Sequence, residues 1–271
     1  MNAEELRLER NKQGKERWDL WGPYLSERAW GTVREDYSAD GDAWNYFPHD
    51  HARSRAYRWS EDGIGGICDD KQRLCFAFAF WNERDAILKE RFFGLTGPQG
   101  NHSEDVKEIY FYTDNTPSHS YMRMVYRYPQ AAFPYEQLIA TNRTRSKLDP
   151  EFELWDTGAL NAGFFDIEIE YAKAGPDDIF IRANATNHGP NAAALHILPT
   201  LWFRNTWSWG RDERLPNLRV GSDDALNVAV IEGTHHSLGK YRLYCEGTDD
   251  LLFTENESNA RRLWNASNRS E

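Results

Sequence analysis

The stretch from Ile179 to Gly210 constrains this chain more than any other. Ile179, Ile181, Ala183 and Ala185 fall on one side of an extended backbone, and Arg182, Asn184 and Thr186 on the other. That is the two-residue period of a half-buried strand. His188-Gly189-Pro190-Asn191 breaks it, because glycine accepts positive φ and proline lacks a backbone donor. Leu195, Ile197, Leu201 and Phe203 then line one face of a returning strand, which runs into Arg204-Asn205-Thr206-Trp207-Ser208-Trp209-Gly210. The pattern predicts two long strands folded onto each other as a hairpin and ending in an aromatic and amide cluster.

Shorter segments repeat the same period. Leu74, Phe76, Phe78 and Phe80 alternate with Cys75, Ala77, Ala79 and Trp81, so both faces are apolar and the strand is expected at the centre of a sheet. Residues 108–113 and 120–128 are further strands, and Phe164 to Lys173 is the cleanest one-sided one, with Asp166, Glu168 and Glu170 on its solvated face. Gly175-Pro176-Asp177-Asp178 is a turn, and Leu226 to Val230, Tyr241 to Cys245 and Leu251 to Thr254 complete the strand set. Helical signals are confined to a polar arm from Ala3 to about Lys15 and a short segment opened by Pro134 and running to about Asn142. Strands joined by turns without alternating long helices predict an all-β chain, a large antiparallel β-sandwich with short peripheral helices. Residues 1–17 form the arm and 18–271 the sandwich domain. Residues 18–62 carry many aromatic and charged side chains but little periodicity, a length of irregular chain that favours a functional or partner-contacting role.

Hydrophobic content is only 40%, yet 11 Trp, 13 Tyr and 14 Phe supply the apolar area for a core. The net charge of −11 repels phosphate backbones and anionic lipid, so no nucleic-acid partner is expected. No apolar run reaches the roughly 18 residues of a membrane span, and the charged N-terminus has no signal-peptide core. Three cysteines without metal-ligand spacing fit free thiols. These features together suggest a cytoplasmic protein.

Three strings carry a resemblance: Trp21 to Trp44 continuing into FPHDHARSRAYRW (Phe47 to Trp59), LHILPTLWFRNTWSWG (Leu195 to Gly210) and LLFTENESN (Leu251 to Asn259). They resemble the N-terminal region of bacterial proteins of glycoside hydrolase family 63, relatives of the mannosyl-oligosaccharide glucosidases. The resemblance implies a β-sandwich packed on a C-terminal (α/α)6 barrel, and hydrolysis of α-glucosidic bonds with inversion. That chemistry needs an acid to protonate the leaving oxygen and a second carboxylate to activate water, about 6.5–9.5 Å apart. In the family both lie in the barrel, beyond the point corresponding to Glu271, so no catalytic residue carries over. The expected role is the non-catalytic front part of such a glycosidase, with the barrel as its partner and an oligosaccharide as the substrate of the whole. The alternative is a free-standing carbohydrate-binding sandwich.

Candidate substrate-binding or interdomain residues follow from chemistry. A sugar pocket needs aromatic platforms beside charged donors and acceptors, the mixture offered by Trp30, Arg34, Glu35 and Asp36 and by His49, Asp50, His51 and Arg53. On an extended strand His49 and His51 would share a side, a spacing that can hold a metal. No third ligand stands at a suitable spacing, so neither a metal nor a cofactor is expected. Arg204, Asn205, Trp207 and Trp209 end a buried strand and must find hydrogen-bond partners there. Interfaces enrich the same residue types as sugar pockets, so both readings stand.

Overall fold

Period-two patterning translates directly into the observed strands. The computed structural model describes residues 1–28, 48–58, 63–102, 105–210, 214–223, 226–247 and 250–268. Among them the strands are β1 (Trp21–Gly22), β2 (Ile64–Asp69), β3 (Leu74–Trp81), β4 (Gly94–Leu95), β5 (Asp105–Val106), β6 (Ile109–Asn115), β7 (Tyr121–Pro129), β8 (Phe164–Gly175), β9 (Asp178–Asn187), β10 (His196–Phe203), β11 (Asn217–Gly221), β12 (Ala229–His235) and β13 (Gly239–Cys245). The helices are α1 (Ala3–Lys12), α2 (His49–Ala52), α3 (Tyr135–Arg143) and α4 (Ala260–Trp264). The chain is all-β in class, with four sheets ordered β1-β2-β3-β10, β4-β5, β6-β7-β8-β9 and β11-β12-β13. It divides into two units, one of Met1–Arg53 and Trp59–Thr200, the other of Ser54–Arg58 and Leu201–Glu271.

In the first unit two sheets face each other. Met122, Met124, Tyr126 and Tyr128 of β7 pair with Tyr171, Ile169, Ile167 and Phe165 of β8 and point inward, all buried. Phe76 meets Tyr171 edge-on, and Phe80 lies 5.8 Å from Tyr126 between ring centroids. β3 is central, between β2 and β10, as its doubly apolar pattern demands. β2 comes closest to the opposing sheet at Gly65, which has φ +61° and sits at a bulge. A Cβ there would lie 2.7 Å from Ile169 Cδ1, so glycine alone fits. The freed carbonyl of Gly65 accepts the Tyr171 hydroxyl at 2.5 Å.

The outer face of the same sheet is solvated, as the acidic pattern predicts, and each acid has an arginine. Arg127 grips Asp166 through two 2.8 Å bonds, Arg123 pairs with Glu168, and Arg182 pairs with Glu170. Exposed pairs contribute about 0–1 kcal/mol each, whereas a buried large apolar side chain contributes about 1.5–3 kcal/mol. The inner row therefore holds the sheet, and the outer ladder fixes its register.

A second cluster packs Phe93, Leu95, Ile109, Phe133, Leu138 and Leu154 beneath α3. Between it and the sandwich lies an ion pair whose side chains are both fully buried, Lys89 Nζ to Glu108 Oε1 at 2.6 Å. Glu108 also accepts the Tyr126 hydroxyl and the Phe93 amide. Lys89 sits 3.6 Å from the centroid of the Phe133 ring and 4.6 Å from that of Tyr135.

The structure corrects three expectations. β9 and β10 are not a hairpin: β9 pairs with β8 and edges one sheet, and β10 edges the other. Residues 188–195 connect them, longer than the roughly 2–5 residues of a hairpin loop, and the true hairpin is β8–β9 across Gly175 to Asp178. Residues 251–254 are not a strand, and β12 begins only at Ala229. The arm α1 buries none of its residues, yet it is anchored. Glu4 accepts the Ser118 amide at 2.7 Å and the Ser118 and Ser120 hydroxyls.

Two outcomes follow. Burial pushes the Glu4 carboxyl up, but the bonds from Ser118, Arg7 and Ser120 outweigh it and hold its pKa below the ordinary value. This contribution is present above the unfolded carboxyl pKa and is lost as pH falls through the lower folded value. Glu4→Gln should therefore flatten the acid limb of a stability–pH curve read by Trp fluorescence, and an unchanged limb would refute the anchoring role. Lys89→Met should cost about 3–5 kcal/mol, because it orphans a buried carboxylate. The loss should be larger at neutral than at acid pH, measured by urea denaturation.

Candidate functional site

In the first unit His49 opens α2 instead of lying on an extended strand, and this overturns the shared side expected for the two imidazoles. Two residues apart on a helix point to different faces. His49 is buried, 5.4 Å from the Phe93 ring and 6.2 Å from Tyr135, while His51 and Asp50 are exposed. Burial, then Lys89, Arg53 and Arg91, push the His49 pKa well below its ordinary value, so the ring is a neutral packing element at physiological pH. Asp50 lies 3.8 Å from half-buried Arg53. No group of three metal-ligating side chains gathers among the described residues. Trp30, Arg34, Glu35 and Asp36 lie outside the described residues.

Next to the small sheet, Lys107 is buried and donates to Glu151 and to Glu153, the latter at 2.9 Å. Asp105 shares this corner; burial and then the Glu151 charge push it up to about 6. Glu151 falls to about 2, because bonds from Glu153, Lys107 and Asp105 outweigh its own burial. One buried lysine thus faces three carboxyl groups, and burial pushes Glu153 up as well.

The first unit also holds a cleft of about 370 Å³ at the open edge where β2 meets β6 and β7. Its floor is Leu25, Ile67, Met122 and Met124 with Gly65 and Gly66, and its mouth carries Glu27, Tyr112, Asp114 and Arg123. A bulge in β6 falls between Tyr112 and Asp114, at the cleft. Glu27 is buried and accepts the Tyr112 hydroxyl at 2.8 Å. Burial, then Glu27, raises the pKa of both Tyr110 and Tyr112 above the ordinary phenol range. Sequence reading missed this cleft. The alternation of Tyr110 and Tyr112 was visible, but a bulge leaves no mark in a hydrophobic pattern.

The second unit accounts for the cluster that ends the long patterned stretch. Asn205 is fully buried; its amide N–H donates to Tyr57 O at 2.7 Å, its side chain donates to Asn256 O, and its Oδ1 accepts the Ser208 amide. Asn256 accepts the Tyr57 amide at 2.7 Å and donates to the carbonyls of Tyr57 and Phe203. Trp207 donates to Glu257 at 2.9 Å, and Ser258 accepts the Ala56 amide. Arg204 and Trp209 are half-buried beside this knot. Segments 54–58, 203–208 and 256–259 are therefore laced together by amide groups that satisfy main-chain donors and acceptors.

No family model matches the chain, and no solved structure matches it. Across 97% of its length the chain is 43% identical to Uncharacterized protein YMR196W of Saccharomyces cerevisiae, and the match covers 27% of that protein. The chain thus spans about a quarter of the length of the curated relative it matches.

The knot yields a direct test. Asn205→Ala leaves the Asn256 carbonyl and the Ser208 amide without their side-chain partner and should destabilise the second unit by about 1–3 kcal/mol. Hydrogen exchange at residues 54–58 should rise with it; unchanged protection there would show that Asn205 is not what holds the segment.

Proposed function

We propose that this chain is the non-catalytic β-rich portion of an inverting α-glucosidase-type glycoside hydrolase resembling family 63. In this reading it supports a helical-barrel portion that carries the acid and the water-activating carboxylate, and the oligosaccharide is the substrate of the whole. The observation that carries the reading is the knot in the second unit. Segments from three separate strings with the family resemblance, 54–58, 203–208 and 256–259, meet there in one hydrogen-bonded arrangement. Strings so far apart in the chain make sense together as one structural module.

A non-catalytic role is supported by how the most deeply buried carboxylates are used. Asp69 accepts the amides of Lys71, Arg73 and Leu74 and the Arg73 guanidinium. Asp85 accepts the Tyr128 and Tyr135 hydroxyls, and Glu108 is held by Lys89. Acids engaged by the fold's own donors are poor proton shuttles. The relative's greater length is consistent with further chain beyond this region. No helix among the described residues is long and apolar enough to cross a membrane. The free thiols of Cys68 and Cys75, direct partners across β2 and β3, suit a reducing cytoplasm.

The test is hydrolysis of disaccharides containing α-linked glucose. The purified 271-residue chain should show no turnover, while the full-length yeast relative should release glucose as the β-anomer, read by proton NMR. Turnover by the chain itself that disappears on substitution of its own carboxylates would overturn the proposal, as would an inactive full-length relative.

A further inference from the structure

The cleft at the sandwich edge has a chemistry that the glycosidase reading does not use. We infer that it binds a small organic cation, an ammonium group carried on an apolar body. At about 370 Å³ it falls near the lower end of small-molecule pockets. Its floor of Leu25, Ile67, Met122 and Met124 offers no hydrogen bond to a ligand side chain, and methionines reshape easily around apolar groups. Gly66 keeps one wall free of a side chain, since a Cβ there would stand 2.9 Å from the Leu25 side chain.

Charge collects at the mouth. Glu27 is 8% exposed, and its hydrogen-bond donors are the phenol hydroxyls of Tyr112 and Tyr110. Among the described residues neither Glu27 nor Asp114, which lines the same cleft, makes an ion pair. The nearby guanidinium of Arg123 is engaged by Glu168, and Arg28 acts on the Tyr110 hydroxyl. Among the described residues the Glu27 carboxylate takes its hydrogen bonds from neutral phenols and has no ion-pair partner, so it can still take a cation. An ammonium ion in the cleft meets the carboxylates of Glu27 and Asp114, and the Tyr112 ring adds the attraction of an aromatic face for a cation. A neutral polyol would waste the apolar floor and leave the anionic mouth unmatched.

Isothermal titration of the 271-residue chain with phenethylamine, phenethyl alcohol and methyl α-glucoside tests this. The amine should bind at least about tenfold more tightly than the alcohol of the same shape, and more weakly as salt rises. Glu27→Gln should remove most of that preference with a cooperative unfolding transition retained, and Asp114→Asn should reduce it. Equal affinity for amine and alcohol, no heat with the amine, or a Glu27-dependent preference for the glucoside would each overturn the proposal. If Glu27→Gln does not fold, Asp114→Asn and the amine-to-alcohol ratio on the unaltered chain decide. These readouts involve no turnover, so this proposal and the glycosidase reading fail on different results.

Discussion

The first unit depends on one buried charge pair. Lys89 follows the loop after β3, and its backbone bridges Phe80 in both directions at 2.9 Å. Glu108 begins the approach to β6, and through it the Tyr126 hydroxyl of β7 and the Phe93 amide are fixed. The Lys89 ammonium also rests on the rings of Phe133 and Tyr135. Four chain segments therefore meet at two side chains. Burial pushes the Glu108 pKa up although Lys89 pulls it down, so the attraction does not fully repay desolvation. Such a pair adds little net stability compared with apolar residues of the same shape, but leaving either partner alone is heavily penalised. Separating the two charges would leave each buried and unpaired, so the pair favours the arrangement that keeps them together.

That constraint explains where the unit is closed and where it is open. Around Glu108 the tyrosines form a continuous inner row, with Tyr126 and Tyr128 stacked at 5.7 Å and Asp85 accepting from Tyr128 and Tyr135. Farther along β6 the bulge shifts the register by one residue. Past it the exposed Asn115 stands opposite the buried Met122. The smaller side chains and the two glycines of β2 no longer fill the space between the sheets. The cleft is the volume left where the aromatic row ends.

Much of this was legible in the residue pattern. Strand positions follow from period-two alternation because one face of each strand is buried, and β3, β7 and β8 lie where that alternation is strongest. The paired Asp166, Glu168 and Glu170 could be read as a solvated face for the same reason. What the pattern could not carry was partnership. β9 and β10 each read as good strands, but which neighbour a strand takes depends on loop length and on ladders already occupied, so the two were joined in error. β2 was overlooked because Gly65 and Gly66 interrupt its apolar run, although those glycines are what allow the sheets to approach. His49 was placed on a strand since a four-residue helix is too short to show a period. The charged residues of the cleft mouth come from three segments, and no local spacing unites them.

The two units bury their polar groups in different ways, and the difference bears on how each responds to its surroundings. The first uses ionisable side chains whose balance shifts with protonation: Glu4 on the Ser118 turn, Asp105 beside Lys107, Glu108 against Lys89. The second laces residues 54–58 to 203–208 and 256–259 chiefly through Asn205 and Asn256, whose amides do not titrate. Amide bonds to main-chain groups keep their strength across pH and salt, while ion pairs at partly exposed positions do not. The segment Ser54–Arg58 is therefore held at a constant position by its own unit, whatever the charge state of the groups preceding it in sequence.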